Sequence, residues 1–139
     1  MAATKILADT GPLVAYVSET DQYHRWAQTA FHSFYEPLYT CEAVVSEVLF
    51  LLRSDRVDIE TFLQLLERDA VRLDFSMEEN RADVLNLLRK YTDHPMSLAD
   101  ACLVRMAELT GNCQVFTTDK DFLVYRRKGR GVIPLLAPF

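Results

Sequence analysis

Short segments typical of strands alternate along this chain with longer segments in which apolar residues recur every three or four positions. Five segments have the length of strands: 5–8, 37–40, 70–75, 114–117 and 132–136. Strands separated by helices are joined by right-handed crossovers, and they form a parallel sheet that is covered on both faces. The pattern therefore predicts an α/β fold with a central, mostly parallel sheet of four to five strands and helices on both faces.

Six longer segments predict helices: 11–17, 21–35, 42–53, 58–68, 76–91 and 98–109. In the third of these, Val44, Val48 and Leu52 recur at the helical period and form an apolar face. Ser76 opens a segment with the spacing of a capping box, which predicts that the fifth helix begins there. Gly111 is a natural stop for the sixth helix.

The composition is typical of one globular domain, which we expect to span residues 1–139. Hydrophobic residues make up 50% of the chain, enough to bury a sizeable core. The net charge of −5 argues against a non-specific binder of duplex DNA, which is normally basic. It leaves open a nucleic-acid enzyme that concentrates its acids in a metal pocket and its bases at the rim.

The chain carries no pattern typical of export or membrane insertion. Its longest unbroken apolar run, 48–52, is far shorter than the roughly 18 residues of a membrane span, and the apolar stretch before Asp9 is too short for a signal peptide. Cys41, Cys102 and Cys113 include no C-x-x-C pair, so we expect reduced, structural thiols. These features predict a cytoplasmic protein with no membrane partner.

Two acidic residues lie just past predicted strands. Asp9 follows segment 5–8, and Asp119 follows segment 114–117. Functional groups collect at the carboxyl ends of parallel strands, so these two acids are candidates for one site. The alternative for each is structural: Asp9 can cap the helix after it, and an acid in 119–121 can cap the next helix.

Two further acids interrupt apolar helical segments. Glu47 lies at the margin of the apolar face of segment 42–53, and the alternative for it is a solvated edge position. Asp100 lies in the first turn of segment 98–109, where the helix favours the ionised form that binds metal. Because Asp100 follows Ser97 by three residues, a capping box is its alternative. Each acidic residue alone is weak evidence for a functional site, and the inference depends on the placement of all four together.

A basic cluster follows the Asp119 turn closely. It consists of Arg126, Arg127, Lys128 and Arg130. These side chains are candidates for phosphate contacts that would make nucleic-acid binding sensitive to salt, and the alternative is a solvated loop. The histidines are not spaced as metal ligands.

Four sequence motifs, taken together, identify a family. They are LADTGPLVA at 7–15, VVSEV at 44–48, KYTDHPMSLADA at 90–101 and TTDKDF at 117–122. With these motifs in this order, the chain resembles the PIN-domain family, and in particular the VapC-type toxin ribonucleases. The resemblance covers essentially the whole chain and implies a PIN-like three-layer fold. It also implies an endoribonuclease that is the toxin of a type II toxin–antitoxin pair, with RNA as substrate, a cognate antitoxin protein and a homodimer.

The resemblance also implies roles for individual residues. By matching motif positions, the family's acidic quartet falls on Asp9, Glu47, Asp100 and Asp119, which would bind Mg²⁺ or Mn²⁺. Thr10 and Thr118 would be supporting hydroxyls, and Asp121 is a candidate extra acid whose role stays open. Ser97 stands where related sequences often carry another Asp, so that carboxylate is missing here.

The chemistry of the four acids suits these roles. Mg²⁺ prefers oxygen ligands and keeps several waters, so two or three carboxylates are enough for one ion. Phosphodiester hydrolysis needs a hydroxide near neutral pH and charge relief at the leaving oxygen, which one or two ions can supply. We expect Asp9 and Asp100 to be direct ligands, Asp119 to bind directly or through water, and Glu47 to hold a water. Without metal, the four acids should repel each other and raise each other's pKa values.

Three alternatives compete with this interpretation. A haloacid-dehalogenase-type phosphatase needs Asp-x-Asp after the first strand, and this chain has Asp9-Thr10-Gly11. A receiver domain needs paired acids near the first strand and a lysine at a late strand end, and neither is present. The remaining alternative is a PIN-like domain that binds RNA or acts as a scaffold without catalysis.

Overall fold

The computed structural model describes residues 3–139. Within that range the elements follow in this order: β1 (Lys5–Ala8), α1 (Thr10–Val17), α2 (His24–His32), β2 (Leu38–Thr40), α3 (Glu42–Ser54), α4 (Glu60–Glu67), β3 (Val71–Leu73), α5 (Arg81–Lys90), α6 (Leu98–Thr110), β4 (Cys113–Phe116), a 3-10 helix (Lys120–Leu123), β5 (Arg126–Arg127), β6 (Gly131–Val132) and β7 (Leu135–Leu136). The five predicted strand regions and six predicted helix regions all contain an element of the expected type.

The central sheet has five strands in the order β3-β2-β1-β4-β7, and every neighbouring pair is parallel. β1 lies in the middle, with Leu7 opposite Tyr39 of β2 and Ala8 opposite Phe116 of β4. The predicted parallel sheet of four to five strands is therefore confirmed. Because all five strands run the same way, the residues that follow β1 and β4 emerge at the same edge.

Helices cover both faces of this sheet, as the three-layer prediction requires. On β4, the Cys113 Sγ atom lies 4.0 Å from the Ala107 carbonyl oxygen of α6. The Phe116 ring packs against Trp26 of α2 and against Phe34, with ring centroids 5.2 and 5.5 Å apart. Since residues 113 and 116 are an odd number of positions apart, they point to opposite faces, so α6 and α2 lie on opposite sides.

Two predicted helix starts and one predicted strand are wrong in detail. Helix α2 begins at His24 rather than 21, because the Asp21 side chain accepts the N–H of Tyr23 at 2.8 Å and holds the chain in a turn. Helix α5 begins at Arg81: Ser76 accepts a hydrogen bond from Glu79 as expected, but residues 77–80 form turns. Segment 132–136 is split between two sheets around Pro134, which has no N–H to continue a strand.

The remaining global features concern the core and the cysteines. Helix α6 is buried along most of its length, from Ala99 to Val104 and again at Met106 and Ala107. Cys41, Cys102 and Cys113 are buried free thiols. In the part of the chain from residue 3 onward, no helix is long and apolar enough to cross a membrane.

Candidate metal centre

Three acidic side chains from separate parts of the chain meet at the carboxyl edge of the sheet. Asp9 follows β1, Asp119 lies three residues past the end of β4, and Asp100 is in the first turn of α6. One carboxylate oxygen of each lies within 4.8 Å of the other two. The pairing of β1 with β4 brings the first two together, since the Asp9 N–H donates to the Phe116 carbonyl oxygen at 2.9 Å. We call Asp9, Asp100 and Asp119 the acidic trio.

Asp9 is buried and both of its carboxylate oxygens accept hydrogen bonds. Its Oδ1 atom accepts the Thr10 N–H at 2.8 Å, which makes Asp9 the N-cap of α1. Its Oδ2 atom accepts the Thr117 hydroxyl at 2.7 Å, and the Thr117 oxygen in turn accepts the N–H of Asp119 at 2.9 Å. Thr117 therefore joins two members of the trio, and it is itself completely buried.

The sequence reasoning missed Thr117 and named its neighbour Thr118 instead. The register could have identified Thr117: since Ala8 lies opposite Phe116, the next residues across the pair are Asp9 and Thr117. Thr118 has a different place. Its hydroxyl oxygen lies only 2.0 Å from where a β-carbon on Gly11 would be, so it packs tightly against the first turn of α1.

Asp100 is 7% exposed and is held by the capping box at the start of α6. The Asp100 N–H donates to the Ser97 hydroxyl at 3.0 Å, and the Ser97 N–H donates to Asp100 Oδ2 at 3.3 Å. The same Oδ2 atom accepts the Tyr125 hydroxyl at 2.9 Å. Tyr125 is fully buried, and no local sequence signal pointed to it, because its partner lies 25 positions away.

Burial dominates the electrostatics of the trio. It raises the pKa of Asp9 from 3.8 to about 7; hydrogen bonds from Thr117 and Thr10 oppose this, and the charges of Asp100 and Asp119 add to it. Burial also raises the pKa of Asp100, against hydrogen bonds from Tyr125 and Ser97. Repulsion between the acids, which we expected from the sequence, also raises the pKa values of Asp9 and Asp100, but it contributes less than burial does.

Glu47 lies beside the trio rather than in it. Among the described residues, the group close enough to share an ion contains the three aspartates and not Glu47. Glu47 is half-buried on α3, and its Oε1 atom accepts the Thr10 hydroxyl at 2.8 Å. Thr10 thus connects Glu47 to Asp9, because its N–H donates to Asp9 and its hydroxyl donates to Glu47.

Asp121 is not in the group of described acids that lie close enough to share an ion. Its backbone N–H donates to Asp119 Oδ1 at 2.8 Å, which makes Asp119 the N-cap of the 3-10 helix. Its own carboxylate lies 3.1 Å from His94 Nε2 and is about one-third exposed. The structure therefore pairs this carboxylate with a histidine.

The four basic candidates divide into two pairs. The Arg126 guanidinium donates to the carbonyl oxygens of residues 123, 124 and 125. The Arg127 guanidinium donates to the carbonyl oxygens of Ala107 and Gly111 at the end of α6. Lys128 and Arg130 are exposed, and within residues 3–139 their side chains have no hydrogen-bonding or charged partner. Only the second pair is free to meet a phosphate without losing contacts.

A cleft of about 450 Å³ lies on the Glu47 side of the site. Its walls come from the start of α3, the start of α6 and the segment before α5, and they include Glu47, Leu98, Phe75 and Met77. Phe50 on α3, next to this cleft, is 68% exposed. The site is thus bordered by a mainly apolar surface.

The comparisons with known proteins bear on the whole of this arrangement. A comparison with curated proteins finds no match to the chain. The family model of the PIN domain matches residues 6–128. That match contains β4, α6 and all of β1 except its first residue, together with all four predicted acids. Since it covers far more than half of the sequence, the chain belongs to the PIN domain family, whose members are generally nucleases.

Proposed function

We propose that this protein is a metal-dependent endoribonuclease that hydrolyses RNA phosphodiester bonds with Mg²⁺ or Mn²⁺. In this proposal residues 1–139 form one nuclease domain, the acidic trio holds the ion, and Glu47 assists from beside it. The main support for this proposal is that three carboxylate oxygens from separate parts of the chain lie within 4.8 Å of one another in a member of a nuclease family.

The donor set fits a hard divalent cation. It consists of carboxylate oxygens, which Mg²⁺ and Mn²⁺ prefer. The hydrogen bonds to Asp9 and Asp100 come from neutral hydroxyl and backbone N–H groups, and in residues 3–139 no lysine or arginine forms an ion pair with the trio. Buried negative charge without a cation is costly, so a bound ion would remove a penalty that the protein otherwise carries.

The residues around the trio hold it in one arrangement. When bound, a divalent ion supplies charge relief at the phosphate and hydroxide near neutral pH. Thr117 and the Thr10 N–H fix Asp9, and Ser97 fixes Asp100. Glu47 has one oxygen on the Thr10 hydroxyl, and we assign its other oxygen to orienting the attacking water. Lys128 and Arg130 would contact the RNA backbone.

We further propose the biological setting that the VapC-type motifs imply. The protein would be the toxin of a type II toxin–antitoxin pair, acting in the cytoplasm as a homodimer and controlled by a cognate antitoxin protein. The exposed Phe50 beside the cleft supports a protein partner, because large exposed apolar surface commonly marks an interface. Light scattering coupled to size exclusion tests the dimer, and growth arrest on expression in cells, relieved by Asp100→Asn, tests the toxin role.

The test of the enzymatic proposal uses matched aspartate variants. Purified protein is incubated with single-stranded and structured RNA in Mn²⁺ or in EDTA, together with Asp119→Asn, Asp100→Asn and Asp93→Asn. Asp93 is an exposed aspartate seven positions before Asp100, so its variant carries the same change of charge outside the trio. We expect Mn²⁺-dependent cleavage by the wild type and by Asp93→Asn, and loss of most of that activity in the trio variants.

The alternative function makes a different prediction in the same assay. A catalytically inactive RNA-binding or scaffold module would bind the RNA and leave it intact in both Mn²⁺ and EDTA. Cleavage that survives EDTA, or that Asp93→Asn and Asp100→Asn reduce equally, would also contradict the proposed site.

A further inference from the structure

We infer that Tyr125 is a positioning residue: its hydroxyl fixes the orientation of the Asp100 carboxylate and so sets the affinity of the trio for a divalent ion. This inference rests on the proposed function, because it concerns the same site. It starts from the hydrogen bond of 2.9 Å between the Tyr125 hydroxyl and Asp100 Oδ2.

The hydrogen bonds divide the two oxygens of Asp100 into different roles. Oδ2 accepts the Tyr125 hydroxyl and the Ser97 N–H. Among residues 3–139, no hydrogen bond reaches Oδ1, so that oxygen keeps its lone pairs for an ion. A carboxylate held at one oxygen by two donors from different directions cannot rotate freely about its terminal bond, and a ligand that is fixed before binding loses less entropy.

The surroundings of the Tyr125 ring fix where its hydroxyl points. The rings of Tyr91, Phe122 and His94 each pack edge-on against it, with centroids 5.1, 5.2 and 5.5 Å away. Edge-to-face contacts are a favoured geometry for aromatic pairs, so three of them leave the ring little freedom. A phenylalanine would fill this apolar slot without burying a polar group, so packing alone does not account for the hydroxyl.

The residues that follow Tyr125 form hydrogen bonds with the aromatic cluster around it and with α6, the helix that carries Asp100. The Arg126 N–H donates to the Tyr91 hydroxyl at 2.9 Å, and the Arg127 guanidinium donates to the Gly111 carbonyl oxygen at 2.7 Å. The Lys128 N–H donates to Glu108 of α6. These contacts hold the chain that follows Tyr125 against Tyr91 and the end of α6, which limits where the Tyr125 hydroxyl can point.

Tyr125→Phe tests this inference, with Tyr91→Phe as the matched control. Both variants remove one phenol hydroxyl from the same aromatic cluster, but the Tyr91 hydroxyl meets a backbone N–H and not a carboxylate. Mn²⁺ binding is measured by calorimetry and by electron paramagnetic resonance, without RNA. Loss of a group that orients a metal ligand typically weakens binding by about 10- to 100-fold, and we expect that loss for Tyr125→Phe only. In RNA cleavage, its metal activation constant should rise while kcat at saturating Mn²⁺ largely recovers.

A measurement on the wild type covers the case in which Tyr125→Phe does not fold. With tyrosine labelled at the ring carbon that bears the hydroxyl, Mg²⁺ is titrated and NMR follows each tyrosine. We expect the Tyr125 resonance to shift with the same affinity as Mg²⁺ binding, and the Tyr91 resonance to shift much less, because only the former touches a member of the trio.

Two results would overturn the positioning role while leaving the proposed function standing. One is Mn²⁺ affinity of Tyr125→Phe within about twofold of the wild type, well below the loss expected for a ligand-orienting group. The other is equal weakening in both tyrosine variants, which would report general loosening of the aromatic cluster. If the wild type binds no Mn²⁺ and Asp100→Asn changes nothing, the proposed function itself fails and the positioning role fails with it.

Discussion

Asp9→Asn should make the metal-free protein more stable above neutral pH. Burial raises the pKa of Asp9 from 3.8 to about 7. Between these two values the folded protein keeps the proton that the unfolded chain has already lost, so folding becomes less favourable as the pH rises. Asparagine resembles the protonated acid in shape and charge, and it is also a good N-cap for α1, so the variant removes this pH dependence and little else.

The size of the effect follows from the pKa difference. A rise from 3.8 to about 7 corresponds to roughly 4 kcal/mol once the pH exceeds the folded-state pKa, at about 1.4 kcal/mol per unit. About 2 to 3 kcal/mol of this accumulates between about pH 5 and about pH 8. The pKa of Asp100 is also raised, and this contribution is present in both proteins, so the difference between them reports the ionisation of Asp9 together with its repulsion by Asp100 and Asp119.

Urea unfolding in EDTA, followed by fluorescence, measures this difference. The chain has a single tryptophan, Trp26, which packs against Phe116 of β4 and therefore reports on the central sheet. With an m-value of about 2 kcal/mol per molar, the gap between the two urea midpoints should widen by about 1 M from low to high pH. Mn²⁺ at about 100 times its dissociation constant should then stabilise the wild type by about 2.7 kcal/mol at high pH, and Asp9→Asn much less.

Parallel stability curves for wild type and Asp9→Asn from about pH 5 to about pH 8 would refute the reasoning. That result would mean that the folded protein pays no extra cost for ionising Asp9, so its burial would not create the demand for a cation. A variant that is less stable at every pH would point instead to a structural role for Asp9. In that case the hydrogen bond from the Thr117 hydroxyl to Asp9 Oδ2 would matter more than the charge.

Three further predictions concern single residues. Gly11→Ala should lose about 1 to 3 kcal/mol, because its β-carbon would meet the Thr118 hydroxyl at 2.0 Å, and adding Thr118→Ala should recover much of that in urea unfolding. Ser97→Ala should cost about 1 kcal/mol by removing the cap of α6, measured in the same way against Ser33→Ala. Arg130→Ala should lower the salt dependence of RNA binding by about one charge, whereas Arg127→Ala should mainly lower stability.

The fold was predictable because the signals for its elements are local. Strand β1, Lys5–Ala8, ends in three apolar residues that are followed by an acid and a Gly-Pro typical of a helix start, and the strand has the predicted bounds in the structure. The errors occurred where hydrogen bonds within a turn compete with a helix. Asp21 and Ser76 both accept backbone N–H groups as an N-cap would, yet in each case turn residues precede the helix.

The site was predictable only in part because its geometry depends on distant packing. Strand ends place Asp9 and Asp119 at one edge, and this follows from the order of the elements alone. The contact of Tyr125 with Asp100 depends on how the chain turns back after the 3-10 helix, which no periodicity encodes. Similarly, a cluster of basic residues in the sequence does not show that the carbonyl oxygens at the end of α6 accept hydrogen bonds from Arg127.

The structural role of the acidic trio and its proposed metal-binding role are compatible, because a residue that caps a helix can also offer a carboxylate oxygen to an ion. Asp9 caps α1, Asp100 belongs to the capping box of α6, and Asp119 caps the 3-10 helix. Each cap occupies part of one carboxylate and points the start of a helix at the site, where the helix dipole favours negative charge. The protein can therefore hold the three aspartates together without metal. The energetic cost of doing so appears as the raised pKa values of Asp9 and Asp100. Because a helix cap and a metal ligand can require the same residue at the same position, no local motif can distinguish the two roles. Only the convergence of three such caps at one site points to a metal ligand.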